Sequence, residues 1–171
     1  MSTKFDAEKA ENLEEIEKQF AVKAVGHAQT YWQLLEAVPP VALKLTKMDD
    51  EIYNDFIEQF PEYKQDPSKI EIIDEDELKS KDNKPRWHKF MTAYDKKIQD
   101  YTFGSLLRRN AKDDYTEQNT MFGEHSHRYL FDIINLTVAV LVPRMQFYVF
   151  EIARNRLGMN DHVHNNAKSS K

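Results

Sequence analysis

This sequence predicts an all-α, single-domain fold: about five or six helices packed round a central one, with at most a minor strand. Three observations lead there. Apolar residues recur at three- and four-residue intervals in several separate stretches, the period of a helix with one buried face. Only 4 glycines and 6 prolines punctuate 171 residues, too few for a turn-rich β architecture. Residues 143–158, PRMQFYVFEIARNRLG, are apolar on nearly all sides in their middle turns, so neighbours must cover them from several directions.

Residues 1–12 are polar and read as a disordered tail. Leu13, Ile16 and Phe20 then recur at helical spacing, and Ala24, Ala28, Tyr31 and Leu35 continue the stripe until Val38-Pro39-Pro40 stops it. Gly26 either divides this region into two helices or sits inside one at a cost of about 1 kcal/mol. Thr46-Lys47-Met48-Asp49 has the form of a capping box with an acidic N3 residue. Ile52, Phe56 and Phe60 follow at four-residue spacing, and Pro61 ends that helix.

From Glu62 to Lys81 no period holds. Ile70, Ile72 and Ile73 suggest a short extended piece, and Asp74–Glu77 is either an acidic helix start or a loop. Asp82 or Asn83 caps the next helix, with Pro85 near its first position. Trp87, Phe90, Met91, Tyr94, Ile98 and Tyr101 form the clearest amphipathic pattern in the chain. Gly104 closes it, Ser105–Arg109 reads as a short helix or a strand, and Asn110–Asp114 as a polar turn.

The stretch from Pro143 is the central helix. Proline suits its first helical position, and Gly158 suits the left-handed residue after its end. At 16 residues it falls short of the ~20 apolar residues a membrane span needs. Glu151, Arg154 and Arg156 read as its charged exit, the arginines complementing the negative helix end. Residues 161–171 read as a second disordered tail, leaving 13–160 as the domain.

Composition excludes several classes of function. A net charge of -5 gives no footprint for non-specific nucleic-acid binding, although it suits a basic partner. With no cysteine there is no disulfide, thiolate chemistry or Cys-ligated zinc. That fits a reducing compartment, and the polar start lacks the apolar core of a secretory signal, so cytosol or nucleus is expected. No glycine-rich phosphate loop, nucleophile elbow or HExxH helix is present.

The histidine pairs His125/His127 and His162/His164 lack a further ligand at firm metal spacing and read as solvated. His27 and His88 lie near aromatics on helices and read as packing residues. Asp49, Asp50 and Glu51 complement a helix N-terminus and need no further role. Arg108, Arg109, Arg154 and Arg156 form either an anion pocket or internal ion pairs. The 20 aromatic rings (Trp 2, Tyr 8, Phe 10) mostly fall at core spacing. No cofactor or metal is expected.

Taken in order, HAQTYWQLL (27–35), LKLTKMDDEIYNDF (43–56), DYTFGSLLRR (100–109), YTEQNTMF (115–122) and PRMQFYVFEIARNRLGMN (143–160) resemble the polysaccharide biosynthesis domain-containing protein family of eukaryotic cytosolic proteins. EIARNR is the most specific block. The resemblance implies a small orthogonal helical bundle without known catalytic residues. It further implies a ribosome-linked chaperone that guards newly made translation elongation factor 1-alpha, acting as a monomer in the cytoplasm, or also in the nucleus. An enzyme of polysaccharide metabolism, which the family's name suggests, would need a cofactor or catalytic carboxylate pair that the sequence does not offer. An adaptor for an unrelated partner is the remaining alternative. Client contacts are expected at the polar exits of the motifs: Lys44, Lys47, Asp49, Asp50, Arg108, Arg154 and Arg156.

One departure from the family pattern stands out. Members run from the NTxF motif almost directly into PR, whereas here residues 123–142, GEHSHRYLFDIINLTVAVLV, intervene. This is either an extra strand or buried helix, or a translated, unspliced intron. Gly-Glu is compatible with a GTGAG donor and Leu-Val with an AG acceptor. Excising 19 codons keeps the frame and leaves one valine between Phe122 and Pro143.

Overall fold

A computed structural model of the chain describes residues 7–116, 119 and 142–171. Among these are eight α-helices and one two-stranded antiparallel ladder, so the chain is essentially all-α. None of these helices is long and apolar enough to cross a membrane.

Helix α1, Ala7–Ala37, begins inside the segment expected to be a tail, and Gly26 does not divide it. A Cβ at Gly26 would meet nothing within 4 Å, so no close approach requires glycine there. Ala24, Ala28, Tyr31 and Leu35 form the buried stripe, whereas Phe20 is 55% exposed and leaves it. The side chains of Leu13 and Ile16 lie outside those described. Pro40–Ala42 makes a 3-10 turn, and α2 follows at Asp49–Gln59.

Pro61 ends α2 but also opens α3, Pro61–Gln65, where its missing N–H costs nothing. The stretch without a period is a series of single turns, α3, α4 (Ser68–Glu71) and α5 (Glu75–Leu78), each too short to display one. Asp74 caps α5 by accepting from the Asp76 and Glu77 amides at 3.0 and 3.1 Å. Ile70 and Ile73 are buried, while exposed Ile72 bridges to Asn110 in extended form. Helix α6, Asn83–Thr92, is shorter than its apolar pattern, and a run of turns carries Tyr94 and Ile98 into the core beside Trp87 and Phe90.

Strand β1 (Gly104–Ser105) pairs with β2 (Val142–Pro143), matching Gly104 with Pro143 and Ser105 with Val142. Pro143 is therefore a strand residue at the N-cap rather than the first helical residue. Helix α7, Arg144–Arg156, is the central helix as expected, buried from Met145 to Asn155 except at Tyr148. Phe150 lies 5.7–5.8 Å from Phe56, Tyr63 and Trp87, and Phe60 stacks on Trp87 at 4.4 Å, so α2, α3, α6 and α7 converge on one aromatic core.

Residues 161–169 correct the expected second tail: Asp161–Ser169 is helix α8. It packs along α1, burying Val163 and His164, whose Nδ1 lies 2.9 Å from the Glu36 carbonyl oxygen. The His162/His164 pair is thus at least half packing rather than solvated. His125/His127, the NTxF motif after Asn119, and all of the expected insertion except Val142 lie outside the described residues.

Candidate functional site

Glu151 is the centre of a charged cluster inside the core. It lies on the face of α7 that meets α1, the 106–111 segment and the turn before α8. Glu151, Arg108 and Arg154 are all 0% exposed. Tyr31 donates to Glu151 Oε2 at 2.7 Å, Asn160 Nδ2 at 2.9 Å and Arg108 Nη2 at 3.2 Å. Arg154 Nη1 donates to Oε1 at 2.8 Å. The two guanidiniums then reach outward to backbone. Arg108 donates to the Ala111 carbonyl at 2.8 Å and to Asn160 Oδ1 at 2.7 Å, and Arg154 to the carbonyls of Ile70, Glu71 and Arg109 at 2.9, 3.3 and 3.2 Å.

Burial by itself would raise the Glu151 pKa, but Arg108 and Arg154 outweigh it and hold the carboxyl at about 2. Burial and the Glu151 charge push the Tyr31 hydroxyl well above its ordinary range, fixing it as a donor. Burial pulls Arg154 down, while at Arg108 the Glu151 charge overcomes burial and raises it. Both stay charged, as arginine does in folded proteins. Every lone pair of Glu151 thus faces the protein's own donors. The cluster joins elements far apart in sequence.

This resolves the alternatives for the arginines: Arg108 and Arg154 make internal ion pairs. They are not available as client contacts, contrary to expectation. Asp49 is also withdrawn, being 4% exposed. Its carboxylate accepts from Leu45 N at 2.9 Å, Thr46 N at 2.7 Å and Thr46 Oγ1 at 2.8 Å, while Thr46 Oγ1 accepts from Met48 N at 3.0 Å. The expected capping box is displaced: α2 starts at Asp49 with Met48 as an N-cap that makes no side-chain bond, and Thr46 and Asp49 instead close the turn leading into the helix. The remaining candidates do meet at the surface. Asp50 bonds to Arg156 and lies 3.7 Å from Lys44, and Arg156 stacks 4.9 Å above Tyr53. They border a notch of 180 Å³. Lys47 is exposed nearby.

Beside the cluster a cleft of 620 Å³ opens between α1 and the 106–115 segment, floored by Ala28, Trp32, Leu106 and Tyr115. Trp32 and Tyr115 meet edge to face at 6.0 Å, and buried Arg108 lies 5.3 and 5.5 Å from their ring centres. A further 440 Å³ extends the cleft along α8 past Trp32, Glu36 and Asp114. His27 lies on the same helix, 4.8 Å from the Phe147 ring and half-buried; burial, with Arg144, lowers its pKa to about 4. Among the described residues no group of three or more His, Cys, Asp or Glu is placed to hold a metal.

A family profile described as PBDC1 protein matches residues 16–137 and 133–165. A PBDC1 homolog from Saccharomyces cerevisiae is 51% identical over 95% of this chain and 97% of its own length. The chain belongs to the PBDC1 family. A Schizosaccharomyces pombe PBDC1 homolog is 49% identical over the same shares. Human PBDC1 is 36% identical over 92% of this chain and 58% of its own length. The fold agrees with an NMR structure of a Saccharomyces cerevisiae protein, with a TM-score of 0.74 and 48% identity, covering 96% of this chain and 99% of that one.

In this PBDC1-family chain, the EIARNR block supplies Glu151, Arg154 and Asn155 to the buried cluster. Sequence reasoning missed Tyr31, Asn155 and Asn160 as partners of Glu151, and missed the Trp32 cleft. One signal was present: Glu151 sits between Phe150 and Ile152 in a helix apolar on all sides, where an acidic residue has no solvent to face.

Proposed function

We propose that this protein is a non-enzymatic, ribosome-linked chaperone for newly synthesised translation elongation factor 1-alpha, working in the cytoplasm as a monomer. The client follows from the family resemblance. The observation that carries the binding role is how the family's most specific block is used. Glu151 and Arg154, the groups there best suited to acid–base or anion chemistry, spend their hydrogen bonds on Tyr31, Asn160 and backbone carbonyls. Chemistry needs titratable groups converging on space a substrate can enter. Here the charges support the fold, and an aromatic cleft and a polar notch lie open at the surface, which suits polypeptide recognition.

The test is affinity capture from a translating cell extract with the tagged full-length chain. Enrichment of elongation factor 1-alpha together with ribosomes is expected. Capture of neither by a chain that circular dichroism shows to be folded overturns the proposal.

A further inference from the structure

We propose that the Trp32 cleft docks a basic, amphipathic segment of the client polypeptide, a proposal that rests on the chaperone reading. The cleft of 620 Å³ and its 440 Å³ extension share Trp32, Glu36 and Asp114, forming a trough longer than one side chain needs. Its floor is apolar and aromatic, suited to the buried face of a docked segment. Two carboxylates, Glu36 and Asp114, line both parts of it, against one lining cation, Lys171, at the far end of the extension. Glu36 and Asp114 have no Lys or Arg partner among the described residues, whereas Glu51, Glu62, Glu71, Glu75, Glu77 and Asp100 are each ion-paired. Glu36 Oε1 accepts from the Trp32 indole at 3.1 Å, which holds the ring at the edge of the trough. Arg108 beneath the ring is ion-paired with Glu151, a carboxylate that Arg154 shares. A segment with leucine-like residues on one face and lysine or arginine on the other meets both demands, the apolar face on Trp32 and the cations on the two carboxylates.

The structure supplies its own reporter, because Trp87 is 2% exposed while Trp32 is half-buried at the trough. The probe is a synthetic amphipathic peptide of leucine and lysine, with a leucine–glutamate peptide as control. The basic peptide is expected to shield Trp32 from acrylamide quenching and the acidic one is not. The double variant Glu36→Lys/Asp114→Lys is expected to weaken peptide binding and client capture at least about tenfold. Glu36→Gln/Asp114→Asn, which keeps an acceptor for the indole, is expected to give a smaller loss with unchanged melting. Equal shielding by both peptides, or none, overturns the groove. If the wild type captures elongation factor 1-alpha and the reversed variant captures it equally, the groove fails and the chaperone reading stands. If the peptide result holds but no client is captured, the chaperone reading fails and the groove stands for another basic partner.

A separate observation concerns residues 123–141. In an antiparallel ladder the numbers of paired residues have a constant sum. That sum is 247 for Gly104 with Pro143 and for Ser105 with Val142, and the Arg144 amide bonded to the Phe103 carbonyl keeps it. The Arg109 amide bonds to the Asn119 carbonyl, a pair summing to 228, so the two registers differ by 19 residues. Alternation agrees too: 103 and 109 are both hydrogen-bonded positions an even number of residues apart. We infer that 123–141 is a 19-residue insert, and that removing it brings Asn119 and Val142 into one register against 104–109. The family profile also divides its match within this region.

The full chain lacking residues 123–141 tests this by NMR. It is expected to fold, with cross-strand Hα contacts between Leu106 and Phe122 and between Arg108 and Thr120. An unfolded deletion chain, or a folded one without those contacts, overturns the inference. The gene adds a second reading: a GT starting at the second base of the Gly123 codon and an AG ending at the first base of the Val142 codon would identify the insert as a retained intron, and other bases there would make it a genuine insertion.

Discussion

The Tyr31 hydroxyl donates a 2.7 Å hydrogen bond to Glu151 Oε2, joining α1 to the central helix across 120 residues of sequence. Both side chains are buried, so the bond is made without competition from water. A charge enclosed in this way stabilises a fold only while every partner is present. Glu151→Gln removes the anion and leaves Arg108 and Arg154 as uncompensated buried cations, for an expected loss of about 3–5 kcal/mol. Tyr31→Phe removes one donor of several and costs about 1.5–3 kcal/mol. Urea denaturation of both variants and their double mutant checks this, and additive losses would show that the two groups do not work together.

Acid stability follows from two depressed groups. His27 titrates at about 4 in the folded chain against 6.5 when unfolded. The unfolded state therefore takes up the proton first, and stability present above pH 6.5 declines as pH falls toward 4. Glu151 titrates at about 2 against 4.5, so its contribution is present above pH 4.5 and is lost as pH falls toward 2. Urea midpoints between pH 7 and pH 3 are expected to fall in both windows. His27→Gln should flatten the upper window alone, and an NMR titration placing the His27 imidazole near 6.5 would remove its role.

Adjacent aspartates at the start of α2 are expected to behave differently. Asp49→Ala opens the turn before α2 and leaves the Leu45 and Thr46 amides without their acceptor, at about 1–2 kcal/mol. The Asp50 side chain is 73% exposed beside Lys44 and Arg156, and its loss costs under about 1 kcal/mol. Asp50→Lys is therefore the variant that probes the surface notch. Lower client capture with unchanged melting would assign the notch to binding, and equal capture would leave it a solvent-facing ion pair.

What was legible in the sequence was whatever a local window records. Trp87, Phe90, Tyr94 and Ile98 show their shared face by spacing alone, and Pro143 and Gly158 bracket the central helix within one residue. The single turns at Pro61, Ser68 and Glu75 were not legible, because four or five residues do not complete enough of a period. Helix α8 was missed since DHVHNNAKS carries one aliphatic anchor, Val163, and depends on α1 for its packing. Glu151 was read as part of the charged helix exit, and Arg108 and Arg154 were left open between an anion pocket and internal ion pairs. Their burial is set by partners that the chain brings in from as far away as Tyr31.

The end of the central helix depends on Gly158. Its φ of 76° places it in the left-handed region, and the Met159 amide bonds back to the Arg154 carbonyl at 2.9 Å, closing a Schellman turn. This turn sets Asn160 where its side chain reaches Glu151 and Arg108. A Cβ at position 158 would lie 3.1 Å from Asp161 Oδ2, a contact the aspartate can relieve by rotating, whereas the backbone conformation cannot be relieved. Gly158→Ala is expected to cost about 1–2 kcal/mol, and Gly158→Asn less, since asparagine tolerates that region better. Adding Asp161→Ala should not restore Gly158→Ala. If it does, the side-chain contact and not the backbone decides the cost, and the order of alanine and asparagine in thermal melts would settle which one governs the turn that holds Asn160.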